Sequence, residues 1–408
     1  MKQFSIPVKY RSPLISAIKS KRREADKMKK DFTPTSLDFG AFEIKLARHF
    51  GFCYGVENAI EIAFKTVEQY PDKNIFLLSE MIHNPFVNDD LIQRGVQFLM
   101  DTKGNTLIPF EKLTSDDVVI IPAFGTTIEI ENRLKEIGIQ IEKYNTTCPF
   151  VEKVWNRAEQ IALKGYSIVV HGKPSHEETR ATFSHSDVHA PTLVINDMDE
   201  AVQLGDFLLG KYAEDKFYET FKGRYSKGFD IGKDLQKFGV VNQTTMLASD
   251  TQAIADYLKG IMIKKYGLDP NNSESHFADT RDTLCYATND NQTAVSNLLK
   301  YPAHFAIVIG GRKSSNSSHL VELCEEKLPT YFIQSEEDIL SDSTMKCFNW
   351  RTHEEYFAEN YFPKQVKPII AITSGASCPD AIVENVISKL VSYFPNSKPV
   401  DEIVKSWY

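Results

Sequence analysis

From about Phe42 onward the chain alternates short apolar stretches with amphipathic runs of helical period, and nothing else in it limits the fold as strongly. The short stretches are Ile75-Phe-Leu-Leu-Ser79, Val118-Val-Ile-Ile-Pro122, Ser167-Ile-Val-Val-His171, Thr192-Leu-Val-Ile195, Gly239-Val-Val-Asn242, Phe305-Ala-Ile-Val-Ile309, Thr330-Tyr-Phe-Ile333 and Pro368-Ile-Ile-Ala-Ile372. Each is too short for a helix and lacks the polar alternation of a half-exposed strand. Such strands are buried on both faces, which calls for parallel pairing under helices. The expected class is α/β. At 408 residues the chain has room for two or three domains.

Most of these strands run straight into a small polar motif. The first leads to Ser79-Glu-Met-Ile-His83-Asn84-Pro85, the second to Ala123-Phe124-Gly125-Thr126-Thr127, the third to Gly172-Lys-Pro-Ser-His176-Glu177-Glu178-Thr179. Later ones give Asn242-Gln243-Thr244-Thr245, Gly310-Gly-Arg-Lys-Ser314-Ser315-Asn316-Ser317 and Thr373-Ser-Gly375-Ala376-Ser377. Ligands bind beyond the carboxyl ends of parallel strands, so these motifs lie where a site belongs. Three of them, at Gln243, Gly310 and Gly375, also precede helical runs. Backbone N–H groups at helix starts, with hydroxyls beside them, suit phosphate oxygens. A Ser or Thr there also has a purely structural use as an N-cap. Three together suggest a diphosphate held by mainly neutral donors, with His83 and His176 adding theirs. Glu177 and Glu178 are candidates for a proton relay; otherwise they are an acidic helix start favoured by the macrodipole.

Three cysteines share one setting. Gly51-Phe52-Cys53-Tyr54-Gly55-Val56, Thr147-Cys148-Pro149-Phe150-Val151 and Leu284-Cys285-Tyr286-Ala287-Thr288 each stand where a loop becomes a helix, about a domain apart. Helix starts favour thiolate, the form metals bind. One such cysteine is ordinary core filler; three in the same setting point to a shared metal centre. Structural zinc and ordinary electron-transfer clusters take four protein ligands. Three thiolates on a cubane leave one iron open to substrate. Cys324, Cys347 and Cys378 lack this context, although Cys378 adjoins Ser377.

Composition narrows the class further. A net charge of −8 gives no general affinity for nucleic acid. No apolar run approaches the roughly 18 residues of a membrane span. Six cysteines in so long a chain are no disulfide framework, so a reducing compartment fits. The first 30 residues hold ten Lys or Arg against Glu24 and Asp26. They read as a solvated or partly disordered extension, or alternatively as a transit peptide. The stretch Gly205–Phe238 has no strand pattern and reads as an insertion serving as an arm or an oligomer contact.

Taken in order, the motifs resemble the 4-hydroxy-3-methylbut-2-enyl diphosphate reductase (IspH/LytB) family, and most closely its longer plant and cyanobacterial branch. Those that carry the resemblance are Gly51–Val56, Ile82-His-Asn-Pro85, Thr146-Thr-Cys-Pro149, Gln243-Thr-Thr245, Asp282–Thr288, Ser314-Ser-Asn-Ser317 and Ser374-Gly-Ala-Ser377. The resemblance implies three small α/β domains in a pseudo-threefold trefoil around a [4Fe-4S] cluster. Cys53, Cys148 and Cys285 would be its three ligands, leaving one iron open. It implies substrate contacts by His83, His176, Thr244, Ser314, Ser315, Asn316 and Ser377. The implied reaction is the reductive dehydroxylation of an allylic diphosphate to isopentenyl and dimethylallyl diphosphates, the last step of the methylerythritol phosphate route to terpenoids. Ferredoxin or flavodoxin would supply the electrons.

The common bacterial pattern has Ala-His-Gly where this chain has Ala123-Phe124-Gly125, and its His-Pro-Glu is replaced here by Lys173-Pro-Ser-His176-Glu177-Glu178-Thr179. The histidine role therefore falls on His176 and the acid role on Glu177 or Glu178. The expected division is a basic extension over 1–41 and α/β domains over 42–147, 148–281 and 282–408, the middle one carrying the 205–238 insertion. The expected location is cytoplasmic, or plastid if the basic N-terminus is a transit peptide. Two other functions use the same residues. A metal-dependent phosphoryl hydrolase built on His83, His176 and the glutamates leaves the cysteines unexplained. A non-enzymatic iron–sulfur sensor leaves the strand-end motifs unexplained.

Overall fold

The computed structural model describes residues 4–270, 272–278, 285–363 and 366–407. Asp282-Thr283-Leu284 of the third cysteine motif lies outside them. The strands are β1 (Thr35–Asp38), β2 (Glu43–Leu46), β3 (Ile75–Leu77), β4 (Gln97–Phe98), β5 (Val118–Ile120), β6 (Ser167–His171), β7 (Thr192–Ile195), β8 (Phe238–Asn242), β9 (Phe305–Ile309), β10 (Thr330–Ile333), β11 (Thr344–Asn349), β12 (Glu354–Glu359) and β13 (Ile369–Ser374). All eight strands expected from apolar runs are among them. The fold is α/β with three mainly parallel sheets, ordered β4-β3-β5, β7-β6-β8 and β1-β2-β13-β9-β10. β6, β8 and β9 are buried at every position, as their uninterrupted apolar sequences require.

The helices that carry functional or structural arguments are α1 (Pro13–Ala25), α2 (Tyr54–Gln69), α3 (Pro85–Gln93), α4 (Ile128–Ile137), α5 (Pro149–Ala162), α6 (Glu177–Asp187), α7 (Met198–Leu208), α8 (Glu214–Thr220), α9 (Ile231–Asp234), α10 (Ala248–Tyr266), α11 (Tyr286–Leu298), α12 (Ser315–Glu325) and α13 (Asp380–Ser392). Contacts group the chain into two compact units, Met1–Glu57, Ile82–Asp89 and Tyr286–Tyr408 in one, Asn58–Met81 and Asp90–Cys285 in the other. No helix among the described residues is long and apolar enough to cross a membrane.

In the first unit the basic N-terminal segment is not a solvated extension. Ser12 caps α1 by accepting the Ile15 N–H, and Pro13 supplies the fixed φ of a first helical position. Leu14, Ile15, Ala17 and Ile18 then turn inward and join the same apolar core as β9, β13 and α13. The Lys and Arg residues occupy the other face; Lys19 pairs with Asp380 at 2.7 Å and Arg22 with Asp31 at 2.9 Å. The charge count had hidden an amphipathic helix. β1 pairs antiparallel with β2, and β2 pairs parallel with β13, so this sheet spans the expected boundary at residue 41.

In the second unit two sheets have separate apolar cores. β6, β7 and β8 pack beneath α7 and α10, and the 205–238 stretch folds onto that core as α8, α9 and their turns. Its aromatic residues point inward: Phe217 and Phe221 are fully buried and Phe229 nearly so. They stack on one another and on Phe207, with ring centroids 5.1–6.3 Å apart. The expectation of an arm is corrected accordingly, because the stretch is packed on the unit's own core.

Candidate active site

The first unit carries the neutral donor motifs. Ser314 ends the turn after β9 and caps α12. Its hydroxyl oxygen accepts the Ser317 N–H at 3.2 Å and the Ser317 O–H at 3.1 Å, which leaves its own proton for a further acceptor. Asn316, in the first turn of α12, accepts the Ala376 N–H at 2.8 Å through Oδ1. Its Nδ2 is buried and has no partner among the described residues. A buried amide donor left unpaired costs roughly 1–3 kcal/mol, so it marks a place where a ligand oxygen is wanted. Asn84 Nδ2 donates to the Ser377 carbonyl at 2.8 Å, and Ser377 Oγ lies 3.5 Å from the His83 carbonyl. The loops that follow β3, β9 and β13 are thereby tied together, with His83, Ser315, Asn316 and Ser377 all buried. Gly311 packs directly on the His83 backbone, where any Cβ would overlap the carbonyl. Cys53 joins the same loops: its N–H donates to the Ala376 carbonyl at 3.3 Å, and its carbonyl opens α2 by accepting the Glu57 N–H at 3.0 Å.

The second unit carries the acidic groups and two of the three candidate ligand thiols, Cys148 and Cys285. Cys148 is the N-cap of α5 and donates its N–H to the Ala123 carbonyl at 2.9 Å. Burial pushes its thiol up to about 12; the nearby Cys285 and Glu178 push in the same direction, while the Phe150 and Val151 N–H groups pull it down. The expectation that a helix start makes this cysteine a thiolate needs correction. The helix acts in the expected sense, but loss of water outweighs it. Two thiols and a carboxylate gathered in one buried place repel one another when charged. A polycationic iron centre removes that repulsion, so this donor set fits an iron–sulfur cluster. Among the described residues no three His, Cys, Asp or Glu side chains converge on a single-ion site; a multi-iron cluster asks for one thiolate per iron instead.

α6 delivers three expected site residues from its first turn. His176 is the N-cap, and its Nδ1 accepts the Glu178 N–H at 3.1 Å. Glu177 accepts the Ser79 O–H at 2.5 Å, at the start of the loop after β3, and Arg180 lies within its electrostatic reach. Glu178 is 1% exposed, accepts the Thr244 N–H after β8, and stands close enough to Cys148 to raise its pKa. The two glutamates, equivalent in sequence, are thus unlike in setting. Glu178 neighbours the candidate ligand Cys148.

The family model described as "LYTB: LytB protein" matches residues 44–391. The chain belongs to the LytB family. It is 39% identical over 357 residues to the 4-hydroxy-3-methylbut-2-enyl diphosphate reductase of Synechococcus sp. (strain WH7803), covering 87% of this chain and 86% of that one. It is 38% identical over 382 residues to the reductase of the same name from Prochlorococcus marinus (strain AS9601), covering 94% and 90%. Among solved structures it resembles the E-1-hydroxy-2-methyl-but-2-enyl-4-diphosphate reductase from Plasmodium falciparum, with a TM-score of 0.62 and 21% identity over 86% of this chain and 89% of that one. It also resembles an (E)-4-hydroxy-3-methyl-but-2-enyl diphosphate reductase described as the terminal enzyme of the non-mevalonate pathway, with a TM-score of 0.52 and 23% identity over 86% and 99%. These two likenesses show the fold.

As a LytB protein the chain takes an iron–sulfur cofactor. Cys324, Cys347 and Cys378 are buried thiols raised in pKa chiefly by burial, and they sit in the apolar core of the first unit. Gln243 and Ser79 are site residues whose parts only their partners reveal. Gln243 Oε1 accepts both the Lys173 N–H and the Thr179 O–H, at 3.1 and 3.0 Å, and so fixes the loop after β6 against the loop after β8. Both residues stand just past strand ends, the same signal that marks the other motifs.

Proposed function

We propose that this chain reduces 4-hydroxy-3-methylbut-2-enyl diphosphate to isopentenyl and dimethylallyl diphosphates. The allylic C–O bond breaks, two electrons and two protons enter, and one water leaves. The observation that carries this reading is the close relationship, along nearly the whole chain, to proteins named as that reductase. Cys53, Cys148 and Cys285 would hold a [4Fe-4S] cluster, with three thiolates for its four irons. When bound, the cluster supplies the electrons and a Lewis-acid position for the substrate's hydroxyl oxygen.

The protein's own residues bind and protonate. Ser314, Ser315, Asn316 and Ser377, with His83, His176 and Thr244, receive the diphosphate. The unpaired Asn316 Nδ2, and a Ser314 oxygen whose bonds from Ser317 leave its own proton to donate, support their part in this. Glu178 gives the proton that lets the hydroxyl leave as water. Its burial and its nearness to Cys148 favour it over Glu177. Glu177, bonded to Ser79, holds the start of α6 in place. The electrons arrive one at a time from ferredoxin or flavodoxin in a reducing compartment, the cytoplasm. Three α/β domains over 42–147, 148–281 and 282–408 each bring one cysteine, with β2 lent to the third sheet.

The test is an anaerobic assay of the iron-loaded protein with the allylic diphosphate and a chemical reductant, with products separated. Isopentenyl and dimethylallyl diphosphates are expected. Protein with about four irons and four sulfides per chain that consumes no substrate would overturn the reading.

A further inference from the structure

His176 is held from two sides. Its Nδ1 accepts the Glu178 N–H at 3.1 Å. A ring nitrogen that accepts a hydrogen bond carries no proton, so the proton of the neutral ring sits on Nε2. The second hold is Phe124, whose ring meets the imidazole edge-to-face, with centroids 5.4 Å apart and planes at 87°. That geometry is the preferred one for two aromatic rings.

The wall that Phe124 provides is itself rigid. Ala123 N–H donates to the Met81 carbonyl at 3.3 Å, and the Ala123 carbonyl accepts the Cys148 N–H at 2.9 Å. Gly125 N–H closes a turn onto the Pro122 carbonyl at 3.0 Å. Gly125 has a φ of +76°, and a Cβ built there would lie 2.5 Å from the Trp155 ring. The loop therefore has a bond on each side of Phe124 and an indole packed behind it, and only glycine fits at its corner.

We propose that Phe124 is a positioning residue for His176: its ring and the Glu178 N–H together fix one rotamer and one tautomer, so that His176 presents Nε2–H as a preset neutral donor to a diphosphate oxygen. The inference rests on the reading that His176 meets the substrate diphosphate. Bacterial-type sequences, with histidine in place of Phe124, have a second polar group there. In this chain the position contributes order instead of a donor. A donor that is already oriented loses less freedom on binding, so the effect belongs in substrate affinity.

The experiment compares Phe124→Ala and Phe124→Leu with the unaltered holoenzyme. Two readouts are taken: steady-state kinetics with the allylic diphosphate, and 15N NMR of histidine-labelled oxidised protein, with His176→Gln used to assign the His176 signals. Phe124→Ala should raise KM on the order of 10-fold and leave kcat within about 3-fold. Its His176 ring should change from one tautomer to a mixture. Phe124→Leu, which keeps the bulk, should fall between. In the His176→Gln background, Phe124→Ala should have no further effect on KM, because Phe124 acts through the ring. An unchanged KM with an unchanged tautomer pattern would overturn the proposal, and so would a KM effect that persists without His176. The NMR readout needs no turnover. An inactive wild-type protein whose tautomer still depended on Phe124 would support the positioning role while refuting the proposed reaction.

Discussion

The starts of α12 and α6 are built from similar parts and reach opposite chemistry. Both follow a parallel strand of a buried sheet, and both have a polar side chain as N-cap. At α12 the cap is Ser314 and the first turn is Ser315-Asn316-Ser317, all neutral, with one buried donor unpaired. At α6 the cap is His176 and the first turn is Glu177-Glu178, both buried acids held by a serine hydroxyl and a backbone N–H. A helix start attracts anions. At α6 the chain fills that place with its own carboxylates; at α12 it leaves the place to a ligand. One region is therefore suited to binding and the other to giving protons.

The largest expected effect tests the proton-giving region. Glu178→Gln keeps an oxygen for the Thr244 N–H and removes the acidic proton. We expect kcat to fall on the order of 10²- to 10³-fold with the iron content unchanged. Glu177→Gln keeps the Ser79 contact and should lose less than about 10-fold. The measurement is kcat under anaerobic conditions beside iron analysis of each variant. Equal losses in the two variants would erase the distinction between the glutamates.

Next in size is a contrast in packing. Gly311→Ala sets a methyl against the His83 carbonyl, which is backbone and has little room to move. It should cost about 2–3 kcal/mol. Gly172→Ala sets its methyl 2.6 Å from Thr179 Oγ1 and 2.9 Å from Gln243 Cβ. The Thr179 hydroxyl can turn away, whereas Gln243 Cβ moves only with its backbone, so a loss of about 1–2 kcal/mol is expected, below that at Gly311. Denaturant midpoints compare the two directly; a larger loss at Gly172 would mean that the α6 region is the more rigid.

These contrasts mark where sequence reading stops. The strands with uninterrupted apolar runs were legible because burial on both faces leaves no other composition. β1 and β2 were not, since they alternate polar and apolar residues, and β2 finds its parallel partner β13 more than 300 residues away. The β11–β12 hairpin was missed because β12 is exposed at all but one position, so no hydrophobic pattern announces it. α1 was hidden by the excess of Lys and Arg over acid, ten against two, across the first 30 residues, with only Leu14, Ile15, Ala17 and Ile18 to show its buried face. At the site, residue types at strand ends could be read from the sequence. The choice between Glu177 and Glu178 needed their partners, Ser79 and Thr244, which come from other strands.

Asn316 gives a smaller effect on the binding side. Asn316→Asp keeps the acceptor for Ala376 N–H and replaces the unpaired donor with a negative oxygen. KM for the allylic diphosphate should rise roughly 10- to 100-fold, the scale of one charge-assisted hydrogen bond. kcat and the denaturant midpoint should change little. A stability loss with normal KM would make Asn316 a structural residue and weaken the α12 assignment.

The smallest effect separates the two uses of Ser314, as helix cap and as donor. Ser314→Ala removes both the acceptor for Ser317 N–H and the hydroxyl proton. Loss of a cap costs about 1 kcal/mol, and glycine at the same position costs only a few tenths. The O–H donor is lost equally in Ser314→Ala and Ser314→Gly. If the hydroxyl reaches the diphosphate, KM should rise about 5-fold in both variants, while stability falls in the alanine variant alone. If Ser314 serves only as a cap, KM should stay near wild type in the glycine variant. That result would move the ligand contacts of α12 one residue inward, to Ser315 and Asn316, and leave its neutral character, the point of contrast with α6, intact.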